Sequence, residues 1–217
     1  MCVVPVEVWH KDSTEHKVVT YALLDACSTG TFIRDDLVES LELQPLEPKP
    51  SSVTTLGGTD HRPSSEITGL VVRCVPNHAK LYSAVEIQLP EAHSRPSLAV
   101  DKEEIPTPSK IDRWTYLHSL KTKIPEYDPS IPIGLMIGGD CPEALDPWEV
   151  IHSENKGPFA QRTQLGWCVV GPMGSASSRR IKSNHTRIAI PVRNVISEDI
   201  ADHCFTPKEP VRESNCP

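Results

Sequence analysis

The sequence lacks the features that mark several large classes of protein. No run of 18 apolar residues occurs, so we expect no membrane-spanning helix. The opening residues, MCVVPVEVWHKD, have neither a basic flank nor a sufficiently long apolar core, so we expect no secretion signal. No Cys-x2-Cys pair is present, and a structural zinc site is therefore not expected. We predict a protein with no membrane contact, no metal and no cofactor.

The cysteines do not form the pattern of a disulfide framework. Their number is odd and their spacing is wide: Cys2, Cys27, Cys74, Cys141, Cys168, Cys204 and Cys216. Small secreted domains that are held by disulfides carry even numbers of cysteines at characteristic spacings. We therefore expect free thiols and an intracellular, cytoplasmic location, where thiols stay reduced.

Proline is abundant, with 21 residues, and this argues against long helices. Proline removes a backbone donor and interrupts helices, so we expect short strands and long connections. Valine-rich or alternating segments predict strands at residues 3–10, 18–24, 52–56, 66–75, 81–89 and 133–138, with one or two more within 158–172. Short helices are predicted at residues 34–42 and 111–121, and a helical turn within 142–151. These elements describe a mainly β domain.

Two segments depart from that pattern. Residues 90–132 are irregular and too long for a simple connection, so we interpret them as an insertion that is either functional or poorly ordered. Residues 173–217 are rich in Ser, Arg and Pro, which indicates a linker or a disordered tail. We therefore divide the chain into a domain at residues 1–172 and an irregular C-terminal extension at residues 173–217.

Residues 155–197 have a charge balance opposite to that of the whole chain. The formal net charge of the chain is −7. Residues 155–197 contain no acidic side chain and the following bases: Lys156, Arg162, Arg179, Arg180, Lys182, Arg187 and Arg193. A basic stretch can contact nucleic acid. Because no aromatic residues interleave its basic core, a solvated linker is the simpler interpretation.

Asp25 is the strongest candidate for a functional residue. It directly follows the apolar strand 18–24, and the residues after it, ACSTGT, are small and turn-prone. The strand would fix the carboxylate while the turn leaves its oxygens exposed. Two such carboxylates placed face to face cannot both ionise, so they share one proton. One then acts as a base on water while the other acts as an acid towards a peptide carbonyl.

The order of four segments resembles a known family. They are LLDACSTGTFI, a flap-like hairpin at residues 52–75, LMIGGD, and GPFAQRTQLGWCVVGP. Together they are similar to the aspartic peptidase domain of Pao/BEL-type retrotransposon polyproteins, a relative of the retropepsins, over residues 3–172. The resemblance implies a retropepsin-like closed β-barrel with one or two short helices and a psi-type loop that holds Asp25. It also implies a peptide or polyprotein substrate.

The resemblance implies roles for individual residues. Asp25 matches the catalytic Asp of the family. The active-site turn that follows it corresponds to Ala26, Cys27 and Ser28. Gly57 and Gly58 would lie at the tip of the flap that covers substrate. Residues 136–138 match an apolar strand and a glycine that pack beside the turn.

The turn departs from the family pattern at two positions. The family has Ser or Thr and then Gly after the catalytic Asp, whereas this chain has Ala26 and Cys27. The hydroxyl bonds across the dimer in active relatives, and alanine has none. Glycine permits a close backbone approach that a cysteine side chain crowds. A non-catalytic remnant that serves as an interaction module is therefore the alternative to an endopeptidase.

The chain offers a single candidate turn of this kind. No Asp-Ser/Thr-Gly triplet occurs, and Asp140 matches the closing strand of the family rather than a second catalytic turn. Catalysis would therefore require a homodimer that brings together one Asp25 from each subunit across a two-fold axis.

Overall fold

The computed structural model describes residues 2–55, 57–75, 85–98, 100, 102, 105–172 and the strand at 187–189. In chain order the strands are β1 (Cys2–His10), β2 (Val18–Asp25), β3 (Thr31–Arg34), β4 (Lys49–Thr55), β5 (Gly58–Ser64), β6 (Glu66–Ile67), β7 (Leu70–Cys74), β8 (Ile87–Gln88), β9 (Ala92–Arg95), β10 (Ile133–Gly138), β11 (Glu149–Ile151), β12 (Phe159–Thr163), β13 (Gly166–Val170) and β14 (Arg187–Ala189). The helices are α1 (Asp35–Ser40), α2 (Pro108–Ile111), a 3-10 helix (Thr115–Leu120) and α3 (Pro142–Leu145).

The main body is an eight-stranded sheet that curls into a half-barrel. Its strand order is β6-β9-β3-β10-β2-β1-β7-β8. Two three-stranded sheets, β11-β12-β13 and β14-β4-β5, accompany it. The predicted mainly β fold with a few short helices is confirmed.

One crossover in this sheet positions the candidate site. The chain leaves β2, makes a turn and enters β3, and β10 lies between these two connected strands. β10 is parallel to β2, with Gly138 opposite Asp25, and antiparallel to β3, with Leu135 opposite Ile33. A strand lodged between two connected strands is a psi-type arrangement, so the turn after β2 lies against the end of β10.

Both faces of the main sheet are buried. Side chains alternate along a strand, so Val4 and Ala22 pack into one core while Val3 and Leu23 pack into another on the opposite face. The segment predicted as an irregular insertion covers this second face: it contributes Leu98, Val100, Ile105, Tyr127 and Ile131. The insertion is therefore ordered where the structure describes it, and its role in the core was not predicted.

The same insertion also forms a third core with the closing strands. Ile111, Leu117 and Leu120 pack with Trp167 of β13. Trp167 is 5% exposed, so it is part of this core. The predicted helix at 111–121 is instead a 3-10 helix at Thr115–Leu120, and α2 ends where the predicted helix begins, at Ile111.

The flap-like hairpin is made of different residues from those predicted. β4 pairs with β5, so the residues after Gly58, which were predicted to extend the tip, form the second strand of the hairpin. The predicted strand 66–75 is divided into β6 and β7, which belong to the main sheet. β5 was missed because its sequence, GTDHRPS, is polar and its side chains are exposed up to Pro63, so it carries no alternating pattern.

Residues 187–189, predicted to lie in a linker or tail, form β14 and pair with β4 on the other side of the hairpin. The rest of the predicted tail lies outside the described residues, as do residues 81–84 of the predicted strand 81–89. Of residues 85–89, only Ile87–Gln88 are a strand, β8. The predicted helix 34–42 is α1, and the predicted turn within 142–151 divides into α3 and β11. Among the helices of the described segments, none is long and apolar enough to cross a membrane.

The cysteines are not all free thiols. Cys2 and Cys168 form a disulfide that joins the start of β1 to β13, with Cα atoms 5.1 Å apart. The expectation of free thiols is wrong for this pair and confirmed for Cys27, Cys74 and Cys141. The error has a physical reason: the two cysteines are 166 residues apart, and only the packing of β13 on β1 brings them together.

Candidate active site

Asp25 ends β2 at the rim of the half-barrel; the residue as a whole is partly exposed, whereas its Oδ2 atom is buried. Its Oδ1 accepts a hydrogen bond from the backbone N–H of Cys27 at 3.0 Å. The N–H of Ser28 donates to the backbone carbonyl of Asp25 at 3.0 Å. The turn thus folds back over the end of the strand and holds Oδ1. The expectation that the turn leaves both carboxylate oxygens exposed is wrong for Oδ2.

Ser28 supports the turn from the inside. It is 1% exposed, and its hydroxyl donates to the carbonyl of Gly30 at 2.7 Å. The backbone carbonyl of Ser28 accepts from the N–H of Gly139 at 2.8 Å. Ser28 therefore joins the turn to the segment that follows β10, and its role is structural within the site.

Asp140 fixes the far side of the same turn, which the sequence did not reveal. Its carboxylate accepts two hydrogen bonds from Thr31, one from the backbone N–H at 3.0 Å and one from the hydroxyl at 2.9 Å. The Thr31 hydroxyl in turn accepts from the N–H of Gly138 at 3.2 Å. Hydrogen bonds to an ionised group are the stronger kind. Asp140 is thus a positioning residue, and the acid that directly follows Gly138-Gly139 was the signal available for it.

The backbones of the turn and β10 approach each other very closely at one point. A Cβ atom added at Gly138 would lie 2.4 Å from the carbonyl oxygen of Gly30 and 2.7 Å from its carbonyl carbon. Both are backbone atoms, so no side-chain rotation relieves the clash. Glycine at position 138 is therefore required by the site geometry.

We predict that Gly138→Ala destabilises the protein by about 3 kcal/mol, the upper part of the range for overpacking, and displaces the turn that carries Asp25. Gly139→Ala is the matched control, because a Cβ there would meet its nearest atom, the Ser28 carbonyl oxygen, at an ordinary 3.4 Å. Urea unfolding of both variants measures the difference. Equal stability of the two variants would contradict the close approach of the two backbones.

Ala26 and Cys27 are both exposed at the outer surface of the turn. Among the described non-glycine residues, positive φ values occur at Glu42, Asn155 and Lys156. Cys27 is thus accommodated without the left-handed backbone that would favour glycine. Within one subunit its thiol faces solvent, so the crowding expected from this cysteine can arise only against a second molecule.

Gly57 and Gly58 lie at the tip of the β4–β5 hairpin, as predicted for a flap. The N–H of Gly57 donates to the Thr55 hydroxyl at 3.2 Å. Gly58 has a φ of +132°, and a Cβ there would meet nothing within 4 Å. The glycine is therefore required by backbone conformation, because a side chain would have room but would strain the tip.

The other candidate groups in the described segments offer no second reactive centre. Burial raises the pKa of the Cys74 and Cys141 thiols to about 11, so neither is a ready nucleophile. In the described part of the chain, no three His, Cys, Asp or Glu side chains converge as metal ligands would. Of the basic stretch, Arg162 is engaged with the Glu149 carboxylate and lies 5.4 Å from the centre of the Trp148 ring.

Comparisons with protein-family models, with curated proteins and with solved structures each found no match to this chain.

Proposed function

We propose that this chain is a retroelement-type aspartic endopeptidase domain with a retropepsin-like fold, which processes a polyprotein as a homodimer. The observation that carries the proposal is the placement of Asp25. Its carboxylate stands at the end of β2, on a turn that Ser28 and Asp140 brace against β10. A carboxylate held by a psi-type turn, with Oδ1 bonded to the Cys27 N–H and Oδ2 buried, is rigidly positioned, and positioned groups suit proton transfer.

We propose the dimer because the sequence offers a single acid on a turn of this kind. Asp140 is the nearest acid in the sequence to the end of β10, and both of its oxygens accept hydrogen bonds from Thr31. It therefore serves the turn and does not face Asp25 as a catalytic partner. A second Asp25 from a two-fold related molecule supplies the missing carboxylate, and the exposed Ala26 and Cys27 lie at the contact.

The chemistry that we assign to the pair is general acid–base catalysis. Two carboxylates brought face to face hold one proton between them. The ionised one takes a proton from a water molecule as that water attacks the peptide carbonyl carbon. The protonated one donates its proton to the carbonyl oxygen, which gives a neutral tetrahedral diol. The hairpin β4–β5, with Gly57 and Gly58 at its tip, covers the peptide during this step.

The direct test is peptide cleavage by the purified full-length chain between about pH 4 and 6, where one carboxylate of such a pair carries the shared proton. Sedimentation in the same buffer gives the oligomeric state. Cleavage by a dimer supports the proposal, and a cleaving species that stays monomeric at all concentrations would contradict it.

A second candidate function is a non-catalytic interaction module that keeps the fold and the dimer contact. Ala26 is the observation that favours it, because this exposed residue has no hydroxyl to bond across a two-fold axis. Two turns without such a bond are held together less firmly.

We predict that Ala26→Ser combined with Cys27→Gly strengthens the dimer and raises cleavage, by about tenfold or more for one added hydrogen bond per subunit at about 1 kcal/mol each. The dimer dissociation constant and the cleavage rate are measured together. Cys27→Gly alone is the control that removes the thiol without adding the hydroxyl. Tighter dimers that remain inert in both proteins would favour the interaction module.

A further inference from the structure

Arg95 is a buried cation that has no anionic partner among the residues that the structure describes. It lies at the end of β9 and is 7% exposed. Its Nη1 is buried and has no hydrogen-bond partner. Its Nη2 donates to the Ser51 hydroxyl, which is neutral, at 3.1 Å. Burial dominates its electrostatics and lowers the pKa of the guanidinium.

The carboxylates nearest to Arg95 are already engaged or lie beyond ion-pair distance. Asp60 and Asp35 favour its charge from farther away, and Arg62 opposes it. Asp60 itself is paired with Arg62 at 3.0 Å. Within the described residues the guanidinium therefore forms no ion pair. Burying a charge without a partner is energetically costly, and ionisable groups whose pKa is perturbed by burial cluster at functional sites.

Arg95 lies where the hairpin meets the active-site strands. Its guanidinium lies 5.8 Å from the centre of the Phe32 ring in β3, and Phe32 lies opposite Met136 of β10. Met136 lies opposite Leu23, two residues before Asp25. On its other side, Ser51 links Arg95 to the root of the hairpin, because the same hydroxyl donates to the carbonyl of Arg62 at 2.8 Å.

We propose that Arg95 is a specificity-determining residue that binds the carboxylate of an Asp or Glu side chain in the peptide substrate. The inference rests on the proposed function, since a peptide must lie between the hairpin and β3. The substrate carboxylate accepts the hydrogen bond that Nη2 now donates to the Ser51 hydroxyl, and it accepts a second one from Nη1. A guanidinium matches a carboxylate with two parallel hydrogen bonds, so the peptide supplies the anion that the fold lacks.

The test uses the full-length chain with Asp25→Asn, so that binding is measured without cleavage. A labelled extended peptide carries a single Glu that is moved from position to position, and each peptide has a matched Gln version. We expect one position at which Glu binds about tenfold or more tightly than Gln, the effect of one hydrogen bond to a charged group. Arg95→Met should abolish that preference while the Gln peptide binds as before.

The outcomes separate this proposal from the one on which it rests. Binding of peptides with equal affinity for Glu and Gln at every position, or a Glu preference that survives Arg95→Met, would overturn the Arg95 assignment alone. No binding of any peptide would overturn the peptidase-like site and the assignment with it. Arg95→Lys keeps the charge but loses the paired geometry, so it should retain only part of the preference.

The thermal stability of the Arg95→Met variant is an independent test, because it would fall if the role of Arg95 were only to stabilise the fold. Because the guanidinium makes a single hydrogen bond, Arg95→Met, which keeps the packing on Phe32, should unfold at the same temperature or a higher one. A fall in Tm of several degrees would show that Arg95 stabilises the folded chain, and would remove the basis of the inference.

Discussion

Asp25→Asn is expected to lower the rate of peptide cleavage about 10³-fold or more. Asparagine keeps the size and the hydrogen bond from the Cys27 N–H, but it can neither take a proton from water nor share one with a second carboxylate. Positioned proton transfer contributes about 10²–10⁴-fold to an enzymatic rate. Initial rates on one peptide, at matched dimer concentration, measure the loss.

Two controls make that result specific. The free energy of unfolding of Asp25→Asn should equal that of the wild type, because the polar side chain stays at the rim. Asp12→Asn, an exposed carboxylate in the turn between β1 and β2, should cleave at the wild-type rate. Cleavage that persists in Asp25→Asn would exclude this carboxylate from the chemistry.

Loss of the Cys2–Cys168 disulfide is expected to have the largest effect on stability. The bond joins residues 166 apart, and the chain-entropy model gives about 5 kcal/mol for a loop of that length. Cys2→Ser combined with Cys168→Ser should therefore lower the free energy of unfolding by about 3–5 kcal/mol. Urea unfolding with and without dithiothreitol measures the change.

The matched control is Cys27→Ser, because Cys27 is exposed and free. It should unfold like the wild type and should lose stability on reduction to the same extent. Dithiothreitol should not affect the double variant. A wild type that is equally stable in reducing and oxidising buffer would show that the disulfide does not form.

The sequence was sufficient where local pattern and tertiary role agree. β1 and β2 are valine-rich and apolar, and both were predicted nearly to the residue. Asp25 was found because an acid that ends an apolar strand before small residues is unusual, and the resemblance placed Gly57 and Gly58 at a hairpin tip. Each of these features depends on a few neighbouring residues.

The sequence was insufficient where long-range pairing decides the structure. β5 is a polar strand that exists because β4 offers it backbone partners. Ile105 and Leu117 are isolated apolar residues in an irregular segment, and only the sheet face beneath them makes them core. The role of Asp140 depends on Thr31, which lies 109 residues earlier in the chain.

The burial of Arg95 likewise could not be predicted from the sequence. Nothing around it in the sequence separates a buried arginine from an exposed one, since its neighbours Ser94 and Pro96 are equally common on surfaces. Arg95 is buried because β9 pairs with β3 in the sheet and because Ser51, at the root of the hairpin, contacts its guanidinium.

The most direct test of the central claim is a mixing experiment with wild-type and Asp25→Asn chains. If each active site needs one Asp25 from each of two subunits, cleavage must follow the square of the wild-type fraction. Adding an equal amount of the variant to a fixed amount of wild type, and letting subunits exchange, then halves the measured rate. A rate that does not change as the variant is added would show that one chain carries the whole site, and would contradict the shared pair of carboxylates.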